Sequence, residues 1–207
     1  MFKSKTQPPK NYANKGRAFE DLIEFANAQY RRQSIAVIGK QNTKFLPIRN
    51  GQGQLVSAKV EEKATVDYLG RYRNIPVAVE AKHTEGTRIL FSRVEPHQAE
   101  YMDDFCKDPG AVGIVLVSFK LQRFYAVPWQ FWKAARDAWE SGNGKTQLPV
   151  EAYGWSWYTP GMASTSAEQL LPDWEIKTGG TSGLPYLDII ERMKGEDNEH
   201  RDHRQSK

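Results

Sequence analysis

With a single cysteine, Cys106, in 207 residues, the chain has no disulfide framework and no CxxC zinc module. Its histidines offer no HxxxH pair, so His83 and His97 do not make a zinc site either. No apolar run approaches the ~20 residues that a membrane-spanning helix needs. The Lys- and Pro-rich start of the chain carries no apolar stretch that could act as a signal peptide. No internal repeat is present. These absences predict a soluble, cytoplasmic protein with no membrane partner and no small-molecule cofactor.

The first fifty residues are also short of acid. They hold three acids (Glu20, Asp21, Glu24) against ten Lys/Arg, a surplus of seven, so the net charge of +4 leaves the remainder at −3. A basic leading segment is the electrostatic mark of a polyanion binder, although a solvated basic surface has the same composition. Hydrophobic residues make up 39%, which is enough for a globular core rather than a disordered chain.

Residues 1–13, with Pro8-Pro9 and no apolar period, read as a flexible basic arm. Asn14 is a plausible N-cap for a helix over residues 15–31, whose stripe is Phe19, Leu22, Ile23, Ala26 and Tyr30. A short strand at 35–38 follows. Residues 42–63 flank Asn50-Gly51 with β-favouring runs and carry Lys44, Arg49, Lys59 and Lys63, which predicts a projecting basic hairpin. Strands are expected at 65–69 and 75–82, joined by a turn over 70–74. Then come a helix opening at Pro96, a central strand at 111–119, a strand at 123–127 and a helix from Pro128 to Trp139. The expected fold is an α/β sandwich with a mixed sheet. The domain spans residues 14–140, followed by a C-terminal extension at 141–194 with a short helix at 185–194. A charged tail at 195–207 is expected to be disordered.

The chemistry concentrates in Thr65-Val66-Asp67 and in Glu80-Ala81-Lys82, which begins thirteen residues after Asp67. Side chains alternate faces along a strand, so Thr65 and Asp67 share one face, and so do Glu80 and Lys82. A turn between the strands lays these polar faces together. Facing carboxylates repel, and a divalent cation offsets that repulsion. Phosphodiester hydrolysis calls for such a set: two carboxylates for a hard Mg²⁺ or Mn²⁺, and a Lys for the developing charge. Glu20, at the margin of the first helix, could reach the metal, and Gln98 offers an amide oxygen. Each residue alone is more often an ordinary surface group. Their order and spacing carry the argument.

Asp–(13)–Glu–x–Lys after a Glu-bearing helix resembles the PD-(D/E)xK nuclease superfamily. More narrowly, Asn14-Lys15-Gly16-Arg17-Ala18-Phe19-Glu20-Asp21, Lys63-Ala64-Thr65-Val66-Asp67-Tyr68, Glu80-Ala81-Lys82-His83-Thr84 and His97-Gln98 resemble the RecU family in order and spacing. The resemblance runs over residues 14–139. It implies a restriction-endonuclease-like core, a homodimer and Mg²⁺-dependent cleavage of four-way (Holliday) DNA junctions by a bacterial or phage-encoded enzyme. It also places the projecting stalk at the basic hairpin. Carried over by position, Thr65, Asp67, Glu80 and Gln98 are metal-site residues, Lys82 stabilises the transition state, and Glu20 completes the acidic site. Val66 stands where the superfamily loosely keeps Pro.

The basic side chains expected on DNA are Lys15, Arg17, Arg31, Arg32, Lys40, Lys44, Arg49, Lys59 and Lys63. Trp129, Trp132, Trp139, Trp155 and Trp157 could stack on bases, although the helical spacing of Trp132 and Trp139 suits a core or an interface better. Two alternatives stay open: a restriction- or repair-type duplex endonuclease of the same fold, and a non-catalytic DNA-binding protein. The second has no use for a repulsive carboxylate pair.

Overall fold

The computed structural model describes residues 12–62, 64–141, 161–179 and 183–193. Helix α1 (Tyr12–Arg32) buries Phe19, Ile23, Ala26 and Tyr30, the apolar stripe at helical period. It starts earlier than the sequence suggests, so Asn14 lies inside its first turn. Leu22 sits at the edge of the stripe, 39% exposed. After β1 (Ala36–Lys40), strands β2 (Lys44–Arg49) and β3 (Leu55–Glu62) form a hairpin of their own, outside the main sheet. Next come β4 (Tyr68–Tyr72), β5 (Ile75–Thr84), β6 (Arg88–Leu90) and α2 (Pro96–Phe105). The order closes with β7 (Val112–Phe119), β8 (Arg123–Pro128), α3 (Trp129–Glu140) and β9 (Ser164–Ser166). No described helix is long and apolar enough to cross a membrane.

The main sheet is mixed and five-stranded, in the order β1-β4-β5-β7-β8. Only β5 and β7 run parallel, because the segment carrying α2 crosses over between them. The near-continuous apolar run of β7 is buried from residue 113 to 119, as a central strand should be. Helices cover both faces. Phe19 of α1 lies 6.4 Å from the His83 ring on one face, and Gln98 of α2 bonds to Glu80 on the other. Adjacent strand residues of opposite parity thus meet different layers.

One strand falls in a different place from the sequence expectation. Residues 65–67 are bends, β4 runs from Tyr68 to Tyr72, and the turn is only Arg73-Asn74, with Arg73 at φ +50°. The misreading comes from Gly70, taken as a turn residue. It is a packing glycine in mid-strand: a Cβ there would overlap the backbone of Val37 and Ile38 in β1. Tyr68 and Tyr72 must both reach the core, and only a strand running through Gly70 lets them. Gly70→Ala is therefore expected to lower unfolding stability by about 3 kcal/mol, the upper range of overpacking. Denaturant melting measures this, and a wild-type midpoint would show that β1 does not approach Gly70 so closely.

The segment expected as a C-terminal extension shares the same core. Ala167, Leu170, Trp174, Ile176, Leu184, Tyr186, Leu187, Ile189 and Ile190 all join it. Ile176 N–H donates to Phe124 O (2.8 Å), and Tyr125 Oη–H donates to Ala167 O (2.9 Å) along the β8 edge. β9 pairs antiparallel with β6. Against α1, Tyr186 meets Tyr30 edge-on at 5.6 Å, and residues 188–193 are helical. Of the arm expected at 1–13, residues 1–11 lie outside the described residues while Tyr12 and Ala13 open α1, and the tail at 195–207 lies outside them as well.

The β2–β3 hairpin forms as its sequence suggests, with a five-residue loop rather than a two-residue Asn-Gly turn. Asn50 organises that loop: its Oδ1 accepts from the N–H groups of Gln52 and Gln54, both at 3.0 Å. Gly53, at φ +79°, supplies the left-handed position. Leu46, Ile48, Leu55 and Val56 remain 45–63% exposed, so the arm projects without a core of its own.

Candidate active site

Tyr68 is paired with Val79, so Asp67 and Glu80 stand opposite each other one step along the β4–β5 hairpin, on the α2 face. The backbone ladder does not continue between them. Instead Asp67 N–H donates to Glu80 Oε2 (3.2 Å), and Ala81 N–H donates to Asp67 Oδ2 (2.8 Å). Each carboxylate is thus held by the other strand's main chain. Asp67 is anchored from the far side too, its carbonyl accepting from Gln41 N–H (2.8 Å).

Glu80 is wholly buried. Lys82, two residues on and on the same face, brings Nζ to 2.5 Å from Glu80 Oε1. Gln98 completes the group: its Nε2 donates to Glu80 Oε1 (2.7 Å), and its Oε1 accepts from Lys82 Nζ (3.2 Å). The Gln98 side chain is fixed because it belongs to the capping box of α2, its Oε1 also accepting from Glu95 N–H (2.9 Å). A helix N-terminus therefore sets the position of an active-site amide. Pro96 at the first helical position reinforces that start.

Burial pushes the Glu80 carboxyl up to about 7, and the adjacent Asp67 charge adds to the shift while Lys82 opposes it. A second negative charge is thus unwelcome between these strands near neutral pH unless a cation joins it.

Four of the residues expected at the site converge: Asp67, Glu80, Lys82 and Gln98. Thr65 sits half-buried on the bend before Asp67, not on a strand, and no described hydrogen bond ties its side chain to the acids. Glu20 is placed differently. Its carboxylate binds Lys40 Nζ at 2.9 Å, and the same ammonium binds Glu24 at 2.9 Å. Among the described residues no three His, Cys, Asp or Glu side chains cluster as metal ligands.

The expected DNA-binding side chains spread over one flank and the arm. Arg17, Arg31, Arg32, Lys40 and Lys59 are exposed. Arg49 is exposed as well, and its guanidinium donates to Gly53 O at the hairpin loop (2.8 Å). The side chains of Lys15 and Lys44, and all of Lys63, lie outside the described residues. Trp129 and Trp132 are not available for base stacking. Both are buried under α3, with indole N–H groups donating to Asp103 (2.8 Å) and Phe91 O (3.3 Å). An amphipathic helix whose apolar face is largely Trp and Phe must turn that face inward. Trp155 and Trp157 lie outside the described residues.

Sequence reasoning missed three polar features. His83 is clasped between Ser118 (3.1 Å) and Glu85 (2.8 Å) on the α1 face. Lys40 pairs with Glu20 across elements. Tyr68 carries a buried hydroxyl that has no hydrogen-bond partner among the described residues. Only the position of Tyr68 was open to reading, since it neighbours Asp67 and so faces the opposite layer.

A mixed sheet with helices on both faces, in which an acid at the entry to the central hairpin faces an acid–x–Lys on its second strand, is the plan of the PD-(D/E)xK nuclease superfamily. Comparison with known proteins narrows the class. The chain belongs to the RecU family, Recombination protein U, whose pattern matches residues 14–159. A Streptococcus pneumoniae (strain Taiwan19F-14) protein named Holliday junction resolvase RecU is 28% identical over 206 residues, covering 92% of this chain and 91% of the relative. The protein of that name from Streptococcus equi subsp. zooepidemicus (strain MGCS10565) is 28% identical over 188 residues, covering 88% and 84%.

Proposed function

We propose that this chain is a structure-selective endonuclease that resolves four-way DNA junctions by metal-dependent phosphodiester hydrolysis, acting as a cytoplasmic homodimer in recombination and repair. The observation that supports this most is the fully buried Glu80 facing Asp67, with Lys82 Nζ 2.5 Å away. A binding module would gain nothing from a wholly buried carboxyl set against a second carboxylate, a pair that resists double ionisation. The names of the relatives supply the branched substrate.

The donor set fits a hard divalent cation. It consists of carboxylate and amide oxygens without thiolate or imidazole, and the charge repulsion between Asp67 and Glu80 is what such an ion relieves. Asp67 and Glu80 would hold Mg²⁺ or Mn²⁺, with Gln98 and Thr65 as further oxygen donors and Glu20 completing the acidic site. When bound, the ion supplies Lewis acidity and neutralises charge at the scissile phosphate. The chain's own groups do the rest. Lys82, held at the rim by Gln98, presents an ammonium to the charge that develops on the phosphate oxygens. Gln98 keeps Glu80 and Lys82 in register, so that both act on the same phosphate. The basic arm and the exposed arginines carry backbone phosphates, giving affinity that falls steeply with salt.

Among the described residues each chain has one such site, whereas a junction has two symmetric strands to cut, so a two-fold dimer matches its substrate. The test uses labelled four-way junction and matched linear duplex, each with Mg²⁺ and with EDTA. Symmetric cleavage of the junction only with metal, by a species sedimenting as a dimer, is the expected result. Preferential cutting of duplex would assign the duplex-endonuclease activity instead, and junction binding without cleavage would leave a DNA-binding protein.

A further inference from the structure

On the α1 side of the sheet, the C-terminal half of α1 and strand β1 enclose a half-open cleft of about 470 Å³. Its wall carries Glu24, Arg31 and Arg32 from α1, Gly39 and Lys40 from β1, and Tyr68 from β4. Three cations therefore face one acid. Among the described residues neither guanidinium is paired with a carboxylate, and both arginines are exposed. The C-terminus of a helix ordinarily repels an anion, but Arg31 and Arg32 in the last turn of α1 reverse that sign.

The second observation is the Tyr68 hydroxyl. The residue is fully buried, and its Oη has no hydrogen-bond partner in the described structure. Buried hydroxyls almost always find a partner, and one left unmade is costly. The acids whose charges act on it most are Glu20 and Glu24, the two that Lys40 clasps. Tyr68 lines the same cleft as Glu24 and Lys40. At Gly39 nothing stands within 4 Å of where a Cβ would be, so the β1 wall is open.

The Lys40 ion pairs are exchangeable. The three side chains are 38–50% exposed, and exposed pairs contribute little net stability, so an incoming anion can take over the ammonium at small cost. An anion with several acceptor oxygens suits the cleft, because it can receive from a guanidinium, an ammonium and a hydroxyl at once.

We propose that the α1–β1 cleft is a phosphate-binding subsite in which Arg31, Arg32, Lys40 and the Tyr68 hydroxyl hold one backbone phosphate of the DNA outside the scissile position. This rests on the proposed junction-cleaving function for its DNA source. Binding there draws Lys40 from Glu20 and Glu24, so that occupancy of the cleft frees the Glu20 carboxylate. Engagement of DNA and completion of the acidic site are thereby coupled through one lysine.

The test reads binding in EDTA, apart from any cleavage. Full-length protein is titrated with inorganic phosphate at constant ionic strength while the Gly39 and Lys40 amide resonances are followed by NMR. Saturable shifts are expected, and they should be lost in the Arg31→Ala/Arg32→Ala double variant. Tyr68→Phe should weaken phosphate binding while raising the melting temperature of the free protein, because an orphan hydroxyl has been removed. Shifts that never saturate, or a Tyr68→Phe variant that holds phosphate as tightly as wild type, overturn the subsite. A four-way junction lacking terminal phosphates should displace inorganic phosphate. The double variant should also flatten the dependence of log affinity on log salt by about 1. If phosphate saturates but the junction neither displaces it nor shows the flatter slope, the DNA assignment is overturned and the cleft serves a free phosphate compound. Saturation in a protein that cuts no junction would remove the proposed function and leave the subsite standing.

Discussion

Glu80→Gln is expected to slow junction cleavage by on the order of 10³-fold, the scale of losing a preorganised charged group at a reacting centre, while junction binding persists. The same substitution should stabilise the metal-free protein, and the pH dependence distinguishes the cause. The folded carboxyl titrates near 7 through burial and the Asp67 charge, against an unperturbed 4.5. Between those values the folded state keeps a proton that the unfolded chain has released. The Glu80 contribution is therefore fully present below about pH 4.5 and is lost as pH rises through 7. That loss amounts to on the order of 3 kcal/mol. A glutamine amide stays neutral at every pH and so never adds the second charge. Thermal melts of wild type and Glu80→Gln in EDTA should coincide near pH 4.5 and separate by pH 8, with the variant higher. A variant less stable than wild type at pH 8 would show that Glu80 is held ionised by Lys82 and is not under strain. Lys82→Ala should abolish cleavage to a similar degree with binding intact, and it should raise the Glu80 titration further by removing the cation at 2.5 Å. Cleavage near the wild-type rate in any of Asp67→Asn, Glu80→Gln or Lys82→Ala removes that residue from the mechanism.

The second large effect concerns the β2–β3 arm. Replacing residues 46–57 with a short Gly-Ser turn should leave the fold and the Asp67–Glu80–Lys82 group in place, because the arm is a separate two-stranded sheet. The described large apolar side chains of the arm, Leu46, Ile48, Leu55 and Val56, lie largely in solvent. The arm leaves from β1 and returns to the bend before β4, next to Asp67, so its tip can extend toward DNA occupying the site. A basic arm can enter the central opening of a branched junction, which a duplex lacks. The shortened protein should lose its preference for junction over duplex in a competition assay, by roughly tenfold or more, about 1.4 kcal/mol. Undiminished preference would move selectivity from the arm to the surface between two subunits.

The residues of the candidate site were legible because its chemistry rests on short-range rules. Alternation along β5 puts Glu80 and Lys82 on one face, and the spacing of Asp67 from them marks the neighbouring strand as its partner. The register was not legible: a turn over 70–74 would pair residue 69 with 75 and set Asp67 opposite Val77, and only the two-residue turn at 73–74 sets Asp67 opposite Glu80. The stripe of α1 and the buried run of β7 were written in local period.

Tertiary structure decided whatever depends on residues far apart in the chain. Gly70 looks like a turn residue until the β1 backbone is seen where its Cβ would be. The β6–β9 pair joins residues 76 apart, and the 161–193 segments enter the core through contacts with β8 and α1 that no local pattern announces. Glu20 reads as an acid free for the site, yet β1 delivers Lys40 to it from twenty residues away. The Tyr68 hydroxyl is an ordinary side chain in sequence and an orphaned donor only once α1 has closed over it. Period and spacing assign side chains to faces, because backbone geometry repeats every two or 3.6 residues. Which charges then meet, and which polar atoms are left without partners, depends on how the faces are stacked.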